Sequence, residues 1–237
     1  TAEEEKEFLR DDLYPAMQEN GMGDVQVFIW DHNKERLYER VRGILDETTD
    51  PMVTGAAFHW YSGDHFESLD LLRRRYPGKK LILSESCLEL YKYGMNKEQE
   101  NAERLAHDMI GTLNHGMEAF YDWNILLDSQ GGPNHVGNFC DAPYLYDLEA
   151  GKLMERDILR YYWHFTHFIQ PKAQRLAHTR YTDKLDVTAW KNPGGELVWV
   201  VLNRSEEDLE CVFRLDGSLC RMTMPAHSIA SFVGGEE

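Results

Sequence analysis

The strongest constraint on this chain is a pattern that occurs four times, a short apolar run that stops on polar or aromatic residues, with segments of helical spacing between the runs. Val25–Ile29 runs into Trp30-Asp31-His32-Asn33, and Gly55–Phe58 into His59-Trp60-Tyr61. Lys80–Leu83 runs into Ser84-Glu85, and Ala119–Asn124 into Ile125–Asp128. Lys34–Leu45, Phe66–Tyr76 and Lys97–Leu113 have helical character, and a further helix, from Glu3 to about Asn20, precedes the first strand. Short apolar runs beside turn residues such as Pro77-Gly78 read as buried strands. Strands alternating with helices predict βαβ units and a parallel sheet.

Four such units are half of an eight-fold barrel. The alternative, an open sheet with helices on both faces, fits less well. Aromatic strand ends suit a barrel mouth better than a nucleotide crevice, which is built from Gly-rich turns. Glu85 ends the run Lys80–Glu85. An acid at the C-terminal end of a parallel strand stands where barrel enzymes place their chemistry, which makes Glu85 the catalytic candidate.

After Pro171 the pattern changes to short strands rich in Val, Trp and Thr: Leu185–Trp190, Leu197–Leu202, Cys211–Leu215, Arg221–Met224 and Ser228–Val233, with the turn Lys191–Gly195 between the first two. Closely spaced strands with Gly, Asp and Asn turns predict an antiparallel sheet or small sandwich, joined through a helix at Arg156–His167. The expected fold is therefore α/β: half of a (β/α)8 TIM barrel over residues 1–170, then a C-terminal antiparallel β-sandwich over residues 171–237.

A formal charge of −16, from 41 acidic and 25 basic residues, argues against nucleic acid as a partner, because phosphate-backbone binding draws on clustered Lys and Arg. The dense basic cluster Arg73-Arg74-Arg75, with Lys79-Lys80 nearby, reads as the solvated last turn of a helix. No apolar run approaches the roughly 18 residues of a membrane span. Thr1–Lys6 is acidic and polar, unlike a secretory leader, and the compartment is left open between cytoplasmic and secreted. Cys87, Cys140, Cys211 and Cys220 have no C-x-x-C spacing. Cys211 and Cys220 can face each other across a hairpin, but free buried thiols are the expectation. His164 and His167, three apart on a helix, lack a third ligand, and no metal or other cofactor is expected.

Several motifs, in order, carry a resemblance. Leu83-Ser-Glu-Ser-Cys87, His59-Trp-Tyr61, Trp30-Asp-His-Asn33, Asp122-Trp-Asn124, Gly131-Gly-Pro-Asn134 and Asn138-Phe139 are similar to the second half of glycoside hydrolase family 30, the glucosylceramidase family. Leu197-Val-Trp-Val-Val-Leu-Asn-Arg204 and Pro225-Ala-His-Ser-Ile229 resemble its C-terminal β-domain. The resemblance implies a retaining β-glycosidase whose nucleophile ends barrel strand seven, the place of Glu85, so that the barrel residues correspond to strands five to eight. In that family the acid/base is a second glutamate in an Asn-Glu-Pro motif ending strand four. This chain contains no Asn-Glu-Pro, and a missing N-terminal barrel half carrying that glutamate is the expected partner, beside the β-linked sugar.

The resemblance also suggests roles for the other strand-end residues. Tyr61 either hydrogen-bonds Glu85 and keeps it ionised or packs as a mouth aromatic. His59 orients a neighbour, meets a sugar hydroxyl or is a core histidine. Trp123 offers a face to a sugar ring or is a buried structural tryptophan, and Asn124 and Asn138 offer bidentate hydroxyl recognition. Asp31 binds hydroxyls or caps the helix beginning near Lys34. Glu89 reads as solvated. Two rival functions remain open at this level: a metal-dependent barrel hydrolase using His59, Asp31 and Glu85, and a noncatalytic carbohydrate-binding fragment or subunit. Among substrates, glucosylceramide, β-glucan and β-xylosides are all compatible.

Overall fold

The computed structural model describes residues 1–215 and 217–234. The chain divides into two compact units, Thr1–Ser86 with His115–Trp123, and Cys87–Asn114 with Asn124–Glu237.

The first unit opens on α1 (Ala2–Glu7), capped by a Thr1/Glu4 capping box, and continues through a π-helical stretch (Phe8–Leu13) into α2 (Tyr14–Glu19). β1 (Phe28–Asn33), β2 (Gly55–His59), β3 (Lys80–Glu85) and β5 (Ala119–Phe120) form one sheet in that order, every pair parallel. This is the sequential parallel order expected of consecutive barrel strands. α3 (Leu37–Ile44) joins β1 to β2, and α4 (Phe66–Arg75) joins β2 to β3. α3 buries Leu37, Val41 and Ile44, spaced four and three apart on one stripe. Ile29, Ala56, Phe58, Leu81 and Leu83 occupy matched register positions and are all buried, with α3 packed on β1 and β2. Gly55 is obligatory in β2, because a Cβ there would collide with the Lys80 carbonyl. The basic cluster at the end of α4 is exposed, as expected of a solvated last turn.

Two strand bounds differ from the sequence reading. β1 begins at Phe28 rather than Val25 and continues through the polar Trp30–Asn33 segment. β5 is confined to two residues, although Tyr121 N–H still donates to Leu83 O (2.8 Å) and Trp123 N–H to Ser86 O (2.9 Å).

In the second unit, β4 (Leu88–Glu89) pairs antiparallel with β7 (Cys140–Asp141), and β6 (Leu126–Asp128), β8 (Tyr144–Asp147) and β9 (Lys152–Glu155) make a small mixed sheet. The short helix α5 is Leu90–Tyr93. α6 (Glu98–Asn114) buries Ala102, Leu105, Ala106, Met109 and Ile110, an i, i+3, i+4, i+7, i+8 stripe, and packs on α7 (Asp157–Thr166).

An antiparallel sheet of β10 (Gln174–Arg175), β11 (Leu185–Lys191), β12 (Leu197–Asn203) and β15 (Ser228–Gly234) is accompanied by the hairpin β13 (Leu209–Leu215) and β14 (Ser218–Met224). Leu185 and Val201 from the sheet meet Cys211 and Met224 from the hairpin in a shared core, with Trp199, Phe213 and Phe232 packed around it.

Cys211 and Cys220 are free, as expected, and sit opposite Met222 and Phe213 rather than each other, but only Cys211 is buried and Cys220 is exposed. Cys87 and Cys140 form a disulfide across the β4–β7 pair, which the sequence reading did not anticipate.

Candidate active site

Two β-bulges create the site. Along β2 and β3 the register runs Phe58↔Leu83 and then His59↔Glu85, so Ser84 is an extra residue. Simple alternation would place Glu85 on the face of the buried Leu81 and Leu83. The inserted Ser84 instead matches it to His59, on the opposite face. β1 does the same: Trp30 pairs with Ala57 and His32 with Phe58, leaving Asp31 as the extra residue. Trp30 and Asp31 both have positive φ, 78° and 48°, a conformation that non-glycine residues hold only when their surroundings impose it. Here Trp30 N–H donates to Glu5 Oε1 (2.8 Å), its indole N–H donates to Asn33 O (3.0 Å), and Arg40, paired with Glu5, lies over the ring.

The two extra residues meet across β2. Ser84 Oγ donates to Asp31 Oδ1 (2.5 Å), and the same oxygen lies 3.1 Å from His59 Nε2. Tyr61 O–H donates to Glu85 Oε1 (3.0 Å), and His59 Nε2 stands 3.9 Å from Glu85 Oε2. The His59 ring packs edge-on to Tyr61 and stacked with His32. Side-chain exposure rises from His59 (15%) through Glu85 (27%) to Asp31 (64%), so the network runs from a fixed imidazole to a carboxylate open to solvent.

Asp31, His59, Tyr61 and Glu85 are thus brought together within the first unit. Asp31 is no helix cap, because Asn33 occupies that position before the 3-10 turn Lys34–Arg36. Trp123 is 62% exposed, which removes the buried structural reading. Ser84 and Glu5 were not anticipated; the signal was present only as a serine beside the strand-end acid and an acid in the N-terminal helix.

Asn124 and Asn138 belong to the second unit. Asn138 Nδ2 donates to Glu89 Oε1 (3.1 Å), while its Oδ1 is buried and unpartnered. Bidentate recognition is therefore corrected to a single remaining N–H, and Glu89, taken as solvated, is instead that amide's acceptor. His164 Nδ1 pairs with Ser231 Oγ (2.9 Å), burial lowers its pKa, and His167 stacks on Trp163. Among the described residues no group of three or more His, Cys, Asp or Glu side chains is placed to hold a metal ion, and no helix is long and apolar enough to cross a membrane.

Residues 1–169 match the glycosyl hydrolase family 30 TIM-barrel domain, and residues 172–232 match the family's β-sandwich domain. The chain belongs to glycosyl hydrolase family 30. Its relatives in that family include the lysosomal acid glucosylceramidase of Mus musculus, 30% identical over 98% of this chain and 47% of the mouse protein. A putative glucosylceramidase of Caenorhabditis elegans is 29% identical over 86% of this chain and 40% of its own length. SrfJ from Salmonella typhimurium superimposes with a TM-score of 0.94 at 33% identity, over 100% of this chain and 53% of SrfJ. The chain spans about half the length of the relatives it matches. The fold is accordingly a portion of the family 30 barrel followed by its β-sandwich.

Proposed function

We propose that this chain carries the nucleophile half of a retaining β-glycosidase acting on β-linked glucosides such as glucosylceramide or β-glucan, with Glu85 as nucleophile. The carrying observation is the 3.0 Å hydrogen bond from Tyr61 to a glutamate that a bulge turns onto the His59 face of a parallel sheet at its C-terminal edge. That hydrogen bond holds one carboxylate oxygen in place, which orients the other toward a bound sugar.

In the first step a Glu85 oxygen bonds to the anomeric carbon as the glycosidic C–O bond breaks and a second carboxylic acid protonates the departing oxygen. In the second step that group deprotonates water, which releases the sugar and restores Glu85. Retaining chemistry needs the two carboxyls about 5–5.5 Å apart. Asp31 is given a hydroxyl-binding rather than an acid role in this reading; its Oδ1 accepts from Ser84 and lies 3.1 Å from His59 Nε2. The acid/base is assigned to a glutamate outside these 237 residues, consistent with the half-length match. Asp31 and His59 bind sugar hydroxyls, Trp123 offers its exposed ring to the sugar face, and Asn124 and Asn138 supply further polar contacts. In the same reading residues 1–170 provide barrel strands five to eight and residues 171–237 the sandwich. The glucosylceramidases of mouse and nematode among its relatives support the glucosylceramide class.

Substituting Glu85→Gln in the protein that carries this chain is expected to lower kcat on an aryl β-glucoside by on the order of 10³-fold or more, with an unchanged melting temperature. Retained turnover would overturn the assignment.

A further inference from the structure

The sugar-contacting role proposed for Asn138 requires its loop to be held still, and the second unit contains a device suited to that. We propose that the Cys87–Cys140 disulfide is a covalent clamp that keeps the Asn138 loop in its sugar-binding conformation, with Glu89 as the positioning residue that aims the Asn138 amide. This rests on the reading of Asn138 as a substrate contact.

The β4–β7 ladder comprises only two residue pairs, Leu88↔Asp141 and Glu89↔Cys140, too short to fix a loop by itself. The disulfide lies at this ladder, with both cysteines buried. One bond further, Leu90 N–H donates to Phe139 O (2.8 Å), and Asn138 Nδ2 reaches Glu89 Oε1 across the same pair of arms. The amide that meets the sugar is therefore held by a residue two positions from one cysteine and sits two positions from the other.

The opposite arm closes on the same point. Cys140 N–H donates to Gly131 O (2.9 Å), and Gly131, with φ of 89°, has no room for a side chain against the Cys140 carbonyl. Asp128 Oδ1 accepts from the N–H groups of Gln130 and Gly132. In the tip the Asn134 side chain accepts from Val136 and Asn138 N–H, Gly137 N–H donates to Asn134 O (3.3 Å) and Phe139 N–H to Gly137 O (3.1 Å), and Val136 is 73% exposed. These bonds join tip residues only to one another, so the placement of the tip derives from its roots.

On the far side of Cys140, buried Asp141 receives a bidentate pair of hydrogen bonds from Arg156, both 3.0 Å. That anchor persists without the disulfide, so removing the bridge loosens the loop and leaves the unit folded.

The test uses the protein that carries this chain. Alkylation without reductant followed by peptide mapping should recover the peptides around Cys87 and Cys140 as one linked species. Cys87→Ala/Cys140→Ala should accelerate amide exchange across residues 134–139 and raise KM for an aryl β-glucoside, each roughly tenfold, with kcat nearly unchanged. Glu89→Ala should raise KM alike. Glu89→Gln, which still presents an oxygen to Asn138 Nδ2, should keep it near the parent value.

Free thiols at both positions, or unchanged exchange in the double variant, would overturn the clamp. Faster exchange with unchanged KM would overturn its link to sugar binding while leaving Glu85 untouched. No glycosidase turnover in the unmodified protein would overturn the reading of the site, and the exchange rates would still decide the clamp.

Discussion

At the scale of single residues, the site depends on two insertions that a strict period of two does not encode. Glu85 was legible as a catalytic candidate because an acid closing an apolar parallel strand is rare and costly without a task. Which face it occupies was not legible, since alternation from Leu81 and Leu83 points the wrong way and only the extra Ser84 corrects it. Asp31 was ambiguous between a hydroxyl ligand and a helix cap for the same reason: its place as the extra residue of β1 depends on pairing with β2, which is non-local. Tyr61 gives the cleanest residue-level prediction. Tyr61→Phe keeps the ring and removes one hydrogen bond to a charged group, an interaction of roughly 1.5–3 kcal/mol. A ten- to hundredfold fall in kcat is therefore expected, by about 1.4 kcal/mol per decade, with the melting temperature held. Kinetics equal to the parent's would return Tyr61 to packing.

At the scale of elements, α3, α4, α6 and α7 were readable from helical spacing, and the sandwich strands from their short Val- and Trp-rich runs. The Cys87–Cys140 bridge was not, because it joins residues 53 apart through a two-pair ladder that carries no local signal. Nor was the junction between α6 and the turn before β15, where His227 Nδ1 lies 3.0 Å from buried Glu103 and Nε2 lies 3.1 Å from Glu206. Hydrogen bonds to Glu206 and Glu103 raise the His227 pKa. Burial raises that of Glu103 despite its histidine partner and nearby Arg204. Both shifts mean that the folded state holds protons more tightly than the unfolded chain. Their stabilisation is complete below the unfolded pKa values and is lost as pH rises through the folded ones. Thermal melts from about pH 5 to about pH 8, the interval in which histidine titrates, should show the melting temperature falling, and falling less in His227→Gln. Parallel profiles would remove this pair from the pH response.

At the scale of the whole molecule, the alternation of strands and helices fixed the parallel order of β1, β2, β3 and β5, because period and turn residues are local properties. A half-barrel read from the sequence is expected to expose strand edges and the apolar residues Val27, Ile29, Ala57, Leu81 and Leu83 on or near its barrel-facing side, and the structure corrects this for the apolar residues. Of Val27, Ile29, Ala57, Leu81 and Leu83, all but the half-buried Val27 are buried, since Ile29, Leu81 and Leu83 lie on the covered face of the sheet. β1 and β5 are the outer strands of the first unit's sheet, and the rings of Tyr121 (56%) and Trp123 are exposed. Outer strands of a parallel sheet and exposed aromatic rings are places where further chains add. These 237 residues expressed alone are therefore expected to self-associate on size-exclusion chromatography and to leave an aryl β-glucoside intact; an active, monodisperse monomer would place an acid/base among them. The most direct measurement is made on the protein that carries this chain, incubated with a 2-fluoro β-glucoside that forms the glycosyl-enzyme but releases it slowly. Peptide mapping should find a single added sugar on Ser84-Glu85-Ser86, absent in Glu85→Gln, whereas a sugar on any other carboxylate, or none at all, would contradict Glu85 as the nucleophile.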